Sequence, residues 1–202
     1  CGSDHRAEYG GQLAEDHKPR RPALGSPLTG EMNTVRGKRP ARHGKRLLIL
    51  GCGFPGHATA SRARSSERHL LDVFTAFREL AGEGWSATYR GHPHHTHRLE
   101  KRLARSLGVF DSINWKTHAD LSDALMDHDV AVTAFSSVYY QALYAGWPTI
   151  YYDPVFLRGG TRENHFVDDL FVGLPAAKDI DWPVATDQLG LTGLIRDTLD
   201  PD

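Results

Sequence analysis

Cysteine is nearly absent: Cys1 and Cys52 are the whole complement. Two thiols far apart in sequence give no disulfide framework, so an apolar core has to carry the fold, and a reducing cytoplasm is the expected compartment. Long hydrophobic runs are missing too. None approaches the ~20 residues that a bilayer-spanning helix needs, and no charged-then-apolar stretch opens the sequence. Charge of one sign is also lacking, with 24 Lys and Arg against 25 Asp and Glu. That balance hides an asymmetry: residues 1–46 hold 10 Lys and Arg against 5 Asp and Glu, leaving 14 against 20 for the rest, so +5 is followed by −6. The basic excess belongs to the leading segment and not to the part that folds, so no nucleic-acid partner is expected.

What is present divides at about residue 44. Residues 1–44 are rich in Gly, Pro, His, Arg and Lys, as in His17-Lys18-Pro19-Arg20-Arg21-Pro22. Little apolar surface is available there to offset ordering entropy, so this segment is expected to be an extended tail or linker remnant outside the core. The opening Cys1-Gly2-Ser3, without methionine, reads as the cut end of a longer protein in preference to a processed lipoprotein or an expression scar.

From residue 45 to 202 the texture is that of an α/β domain. Leu47-Leu48-Ile49-Leu50 is a short continuous apolar run stopped by Gly51, as expected of a strand covered on both faces. Leu70, Leu71, Phe74, Phe77 and Leu80 recur at helical spacing over Glu67–Leu80, and Ser86–Arg90 follows as a second strand. Further down, Leu99, Leu103 and Leu107 mark a helix and Val109–Trp115 a short strand. Asp120–Met126 reads as helix, Val130–Ala134 as a buried strand, Tyr139–Tyr144 as helix and Thr149–Tyr152 as strand. Alternating elements of these lengths predict right-handed crossovers and a doubly wound parallel sheet, with ligands taken at the carboxyl ends of the strands.

Three strand-end loops carry the candidate chemistry. Gly51-Cys52-Gly53-Phe54-Pro55-Gly56 satisfies the G-x-G-x-x-G string, but a dinucleotide fingerprint needs a helix opening within the glycines and an acid closing strand two. Here His57–Ser65 intervene and strand two ends in Arg90-Gly91-His92, so NAD is not expected. Gly53 and its neighbours would let backbone N–H groups approach an anion or a facing domain, the alternative being a plain tight turn. The second loop, Arg90-Gly91-His92-Pro93-His94-His95-Thr96-His97, is dense in histidine, yet no acid or cysteine set accompanies it to hold a metal. His94, His95 and His97 are expected at an exposed helix entry, with a phosphate-facing role for His92 alone. Phe135-Ser136-Ser137 places two hydroxyls and a helix start directly after a buried strand, which suits either a phosphate or an ordinary Ser N-cap.

Taken together, His92-Pro93 closing one strand, Ser136-Ser137 closing a later one, a small-residue helix and Gly146-Trp147-Pro148 before the next strand resemble a group of glycosyltransferases of GT-B architecture. The group includes CDP-glycerol glycerophosphotransferases, bacterial polysialyltransferases and capsule polysaccharide transferases. The resemblance covers about Arg46–Pro154, with an echo in Ala23-Leu24-Gly25-Ser26-Pro27 of the segment that leads between the two domains. It implies a Rossmann-like half of a GT-B fold in which His92, Ser136 and Ser137 contact the phosphates of a CDP- or UDP-linked donor, with no other cofactor and no metal. Gln141 stands where related proteins often carry an acid, so a ribose or phosphate-proximal contact at Gln141 departs from the group's pattern. The acceptor-binding N-terminal domain, which usually supplies the general base, is not in this sequence, and no catalytic residue is assigned. The resemblance therefore implies a missing domain or partner subunit, and it leaves room for peripheral membrane association of the full-length protein. Two other readings stand beside it: a non-catalytic nucleotide-binding module, and a sugar-nucleotide 2-epimerase-like enzyme, which would be expected to show an acid-rich glycine turn in place of Ser136-Ser137. A half-enzyme should also bare an orphaned face around Gly53, Phe54, Pro55 and the Thr161–Phe166 loop, with Phe54, Phe156 and Phe166 exposed.

Overall fold

The structure, a computed structural model, describes residues 30–38, 44–51, 60–92, 96–116, 120–134, 136–152, 184–185 and 187–199. Six strands, β1 (Arg46–Leu50), β2 (Ser86–Arg90), β3 (Ile113–Lys116), β4 (Val130–Thr133), β5 (Thr149–Tyr152) and β6 (Val184–Ala185), form one sheet in the order β3-β2-β1-β4-β5-β6. Every pairing is parallel. This is the doubly wound arrangement that the alternation of elements predicts, and strand order reverses between β1 and β4.

Helices α1 (Ala60–Ala81), α2 (Arg98–Ser106), α3 (Leu121–Met126), α4 (Ser137–Ala145) and α5 (Gln188–Asp197) cover both faces. Strand side chains alternate between faces, and β1 shows the result. Leu47 and Ile49 join a core with Leu70, Phe74 and Phe77 of α1, Leu103 of α2 and Leu191 and Ile195 of α5. Leu48 and Leu50 join a second core with Leu121 and Leu125 of α3 and Ala142 and Ala145 of α4. A strand sandwiched in this way has no solvent face, hence its uninterrupted apolar run. Among the described residues no helix is long and apolar enough to cross a membrane.

Several boundaries differ from expectation. Helix α1 begins at Ala60, well before the first periodic apolar position at Leu70. Strand β3 is confined to Ile113–Lys116, because Phe110–Ser112 form a 3-10 turn ahead of it. Strand β6 and helix α5 were not foreseen. The largest difference concerns the leading segment. Residues Glu31–Thr34 form a 3-10 helix, and Met32 and Val35 are wholly buried in the second core. Residues 30–38 thus do not lie outside the core. Polar contacts secure them to α4: the Arg36 guanidinium lies 4.6 Å from the centre of the Tyr144 ring and donates to its hydroxyl at 3.1 Å, and that hydroxyl donates to Asn33 Oδ1 at 2.9 Å. Residues 1–29 lie outside the described part.

The amino edge of the sheet contains a buried titratable group. His128 Nδ1 lies 2.6 Å from the Ala124 carbonyl; a carbonyl only accepts, so Nδ1 carries the proton. Burial holds the imidazole below its usual pKa, against the Ala124 hydrogen bond and Asp127, which pull it up, while Lys116 and Arg46 push it further down. Between the depressed folded value and the ordinary value of about 6.5, the unfolded chain binds more protons than the folded one. The contribution is therefore fully present above about pH 6.5 and is lost as pH falls through the folded value. Urea unfolding of the parent protein should lose more stability between neutral and mildly acidic pH than unfolding of a His128→Ala variant. Parallel losses would remove this residue from the pH dependence.

Candidate functional site

Strands β2, β1 and β4 are neighbours, and their register brings three carboxyl ends level. Leu50 pairs with Arg90 on one side and with Thr133 on the other. The next residues, Gly51, Gly91 and Ala134, therefore stand side by side at one edge. The ladder continues one step past the strands, since Gly51 N–H donates to Arg90 O at 2.8 Å and Gly91 N–H to Lys116 O at 3.0 Å. Adjacent strands lie ~4.8 Å apart, so the ends of β2 and β4 are roughly 10 Å apart with Gly51 between them. The reversal of strand order falls at this edge, and the helices that follow β1 and β4 pack on opposite faces of the sheet, the position at which open α/β sheets take ligands.

Of the expected site residues, His92, Ser136 and Gln141 are described, and they follow the carboxyl ends of β2 and β4. His92 is half-buried just beyond Gly91. Ser136, also half-buried, is the N-cap of α4; its Oγ accepts from Val138 N–H at 3.3 Å. The ordinary capping role of Ser136 is thus realised, while the first turn of α4 still begins at the carboxyl edge of the sheet. Ser137 opens α4, and its side chain lies outside the described part. Gln141 is half-buried one turn further along the same helix. Gly53, with Cys52–Pro55 and the expected interdomain face at Phe54, Phe156, Thr161–Phe166, lies outside the described residues, as do Pro93, His94, His95 and Phe135.

His97 does not match the exposed helix entry expected of it. Only 3% of its surface is accessible, and it adopts left-handed backbone at φ 53° immediately before α2. Its ring packs edge-on to Tyr89, with centroids 5.8 Å apart, and its Nδ1 lies 3.4 Å from Glu100 Oε1. The space it fills exists because Gly91 has no side chain: a Cβ there would overlap the His97 ring at Nε2 and Cε1. Gly51 has a steric reason of its own, since a Cβ at this position would sit 2.5 Å from the Tyr89 hydroxyl oxygen. Sequence reasoning missed Tyr89 and Glu100. The available signal was Glu100 itself, an acid one turn before Leu103 and Ala104 on the buried side of α2. Among the described residues no group of three or more His, Cys, Asp or Glu side chains is placed to hold a metal ion.

No family model matches the chain, and no curated protein is significantly similar to it in sequence. A solved structure that it is similar to is the UDP-GlcNAc 2-epimerase of Methanocaldococcus jannaschii, crystallised in complex with UDP-GlcNAc and UDP, at 15% identity and a TM-score of 0.47. The match covers 89% of this chain and 43% of that one. The chain thus spans less than half of the enzyme it matches. The α/β class rests on the sheet order and parallel pairing described above.

Proposed function

We propose that this chain is the nucleotide-donor-binding half of a glycosyltransferase or glycerophosphotransferase for cell-surface polysaccharide, with the acceptor side supplied by a second domain or partner subunit. The observation that carries the reading is the level register of Gly51, Gly91 and Ala134. It supports a donor lying across the β1 turn, its phosphates between His92 and the start of α4. A helix start offers free N–H groups and the positive end of the helix dipole to an anion. An imidazole on the opposite side of β1 would add a second donor. Such fixed donors stabilise charge that develops on a departing nucleotide phosphate, and this role needs no metal. Gln141, neutral where related proteins often carry an acid, would offer an amide to the same ligand. The general base belongs to the acceptor side, because one half of such a site leaves the reacting groups unpositioned.

Calorimetric titration with UDP and CDP tests the assignment. His92→Ala and Ser137→Ala are each expected to weaken binding by about 1–3 kcal/mol while the fold stays intact, since each removes a charge-assisted hydrogen bond from an open cleft. Unchanged affinity in both variants would remove the phosphate assignment. Epimerisation or hydrolysis of a UDP-sugar by the isolated chain would favour the epimerase-like reading in place of the transferase.

A further inference from the structure

Glu100 is a carboxylate on the buried side of α2, 7% exposed, and a single oxygen of it serves two partners from different parts of the chain. Its Oε1 accepts from the Tyr89 hydroxyl at 3.2 Å, and His97 Nδ1 lies 3.4 Å away, within reach of a weak hydrogen bond. A carboxylate oxygen only accepts, so that contact requires the proton on Nδ1. Nε2 is then directed at Gly91, and it has no hydrogen-bond partner among the described residues. Tyr89 in turn places its hydroxyl over Gly51. One buried acid thus orients two rings, and each ring is seated against the glycine that follows one of two adjacent strands. The rings also pack on each other, so neither can shift alone in a close-packed interior.

We propose that Tyr89, Glu100 and His97 are positioning residues that fix Gly51 and Gly91-His92 relative to one another, so that the spacing of these two strand ends is set from beneath by Glu100. In its ligand the proposal rests on the nucleotide reading above; in its geometry it does not. A glycine at each strand end is needed because the supporting ring occupies the volume of its side chain. The trio acts through backbone and need not touch the ligand.

The test uses the 202-residue chain with Glu100→Gln, Glu100→Ala, Gly91→Ala, His97→Ala and the Gly91→Ala/His97→Ala pair, read by backbone amide resonances and by UDP titration. Glu100→Gln keeps an accepting oxygen and should leave the Gly51, Gly91 and His92 amides nearly in place, with UDP affinity within about threefold of the parent. Glu100→Ala should move the Gly51 and Gly91 amides together and weaken UDP by about tenfold or more while unfolding remains cooperative. Gly91→Ala and His97→Ala should each weaken UDP by about tenfold, yet the pair should bind no worse than either single variant, because the added methyl enters the space that the ring vacates. Additive losses in the pair would overturn the proposal. So would a folded Glu100→Ala protein with unshifted Gly51 or undiminished affinity. If Glu100→Ala fails to fold, the Gly91/His97 pair decides. If the parent binds neither UDP nor CDP while both glycine amides still move together, the nucleotide reading fails and the positioning role stands.

Discussion

Phe74→Ala is expected to lower the unfolding free energy by about 3–5 kcal/mol, a large fraction of the stability of an ordinary domain. Phe74 is wholly buried midway along α1, with its ring centroid 6.2 Å from that of Tyr89 and 6.3 Å from that of Trp115. It therefore connects the helix to β2 and β3 at once. Removing the ring takes away its transfer free energy and leaves a cavity that rigid aromatic neighbours fill poorly. The Tyr89 ring that supports Gly51 would lose a wall. Urea unfolding at neutral pH measures the loss through the midpoint at constant slope. A change below about 1 kcal/mol would mean that α1 is not seated on the sheet as described.

Asp72→Ala is expected to cost about 2–3 kcal/mol, and comparing its two partners decides where that energy resides. Asp72 Oδ2 accepts from the buried Tyr152 hydroxyl at 2.6 Å and from Arg68 Nε at 2.9 Å. The Arg68 side chain is 53% exposed, so solvent screens its ion pair, and Arg68→Ala should cost below about 1 kcal/mol. The tyrosine bond joins α1 to the last residue of β5 out of contact with water, and the His69 ring is stacked on that tyrosine with centroids 5.7 Å apart. A double-mutant cycle between Asp72→Ala and Tyr152→Phe should therefore show strong coupling, while one between Asp72→Ala and Arg68→Ala should show little. The opposite ranking would place the anchor of α1 at the surface.

How far these features were legible in the sequence depends on how much side-chain pattern each element required. Leu47–Leu50 and Val130–Thr133 are covered on both faces, so their apolar runs announce them. Helix α1 is evident from Glu67 onward but begins at Ala60, because Ala60–Ser66 contribute alanine, arginine and serine with no apolar stripe. A helix already nucleated downstream extends through such residues at little cost. Helix α5 carries Gly190 and Gly193, each of which disfavours helix by ~1 kcal/mol and disguises the stripe formed by Leu191 and Ile195. Strand β6 has two residues, too few for any period. Residues 30–38 offer only Met32 and Val35 as anchors, three apart, amid polar sequence, and the grip of Tyr144 on Arg36 and Asn33 is visible only in three dimensions. At the candidate site the positions of Gly51, Gly91 and Ser136 at strand ends were legible, because each follows a strand that its own side-chain pattern announces. The support beneath them was not, since nothing local reveals that the Tyr89 ring and the His97 ring each take the side-chain volume of a glycine.

On the proposed function a nucleotide lies across the carboxyl ends of β2, β1 and β4. Amide resonances followed during titration with UDP and with CDP decide whether it does. Saturable shifts are expected at Gly51, Gly91, His92, Gln141 and the start of α4 from its N-cap Ser136 to Val138. The opposite edge, at Trp85, Gly108, Asp129 and Trp147, should stay unmoved. Saturable shifts at that opposite edge, or no shift at all with either nucleotide at millimolar concentration, would contradict it.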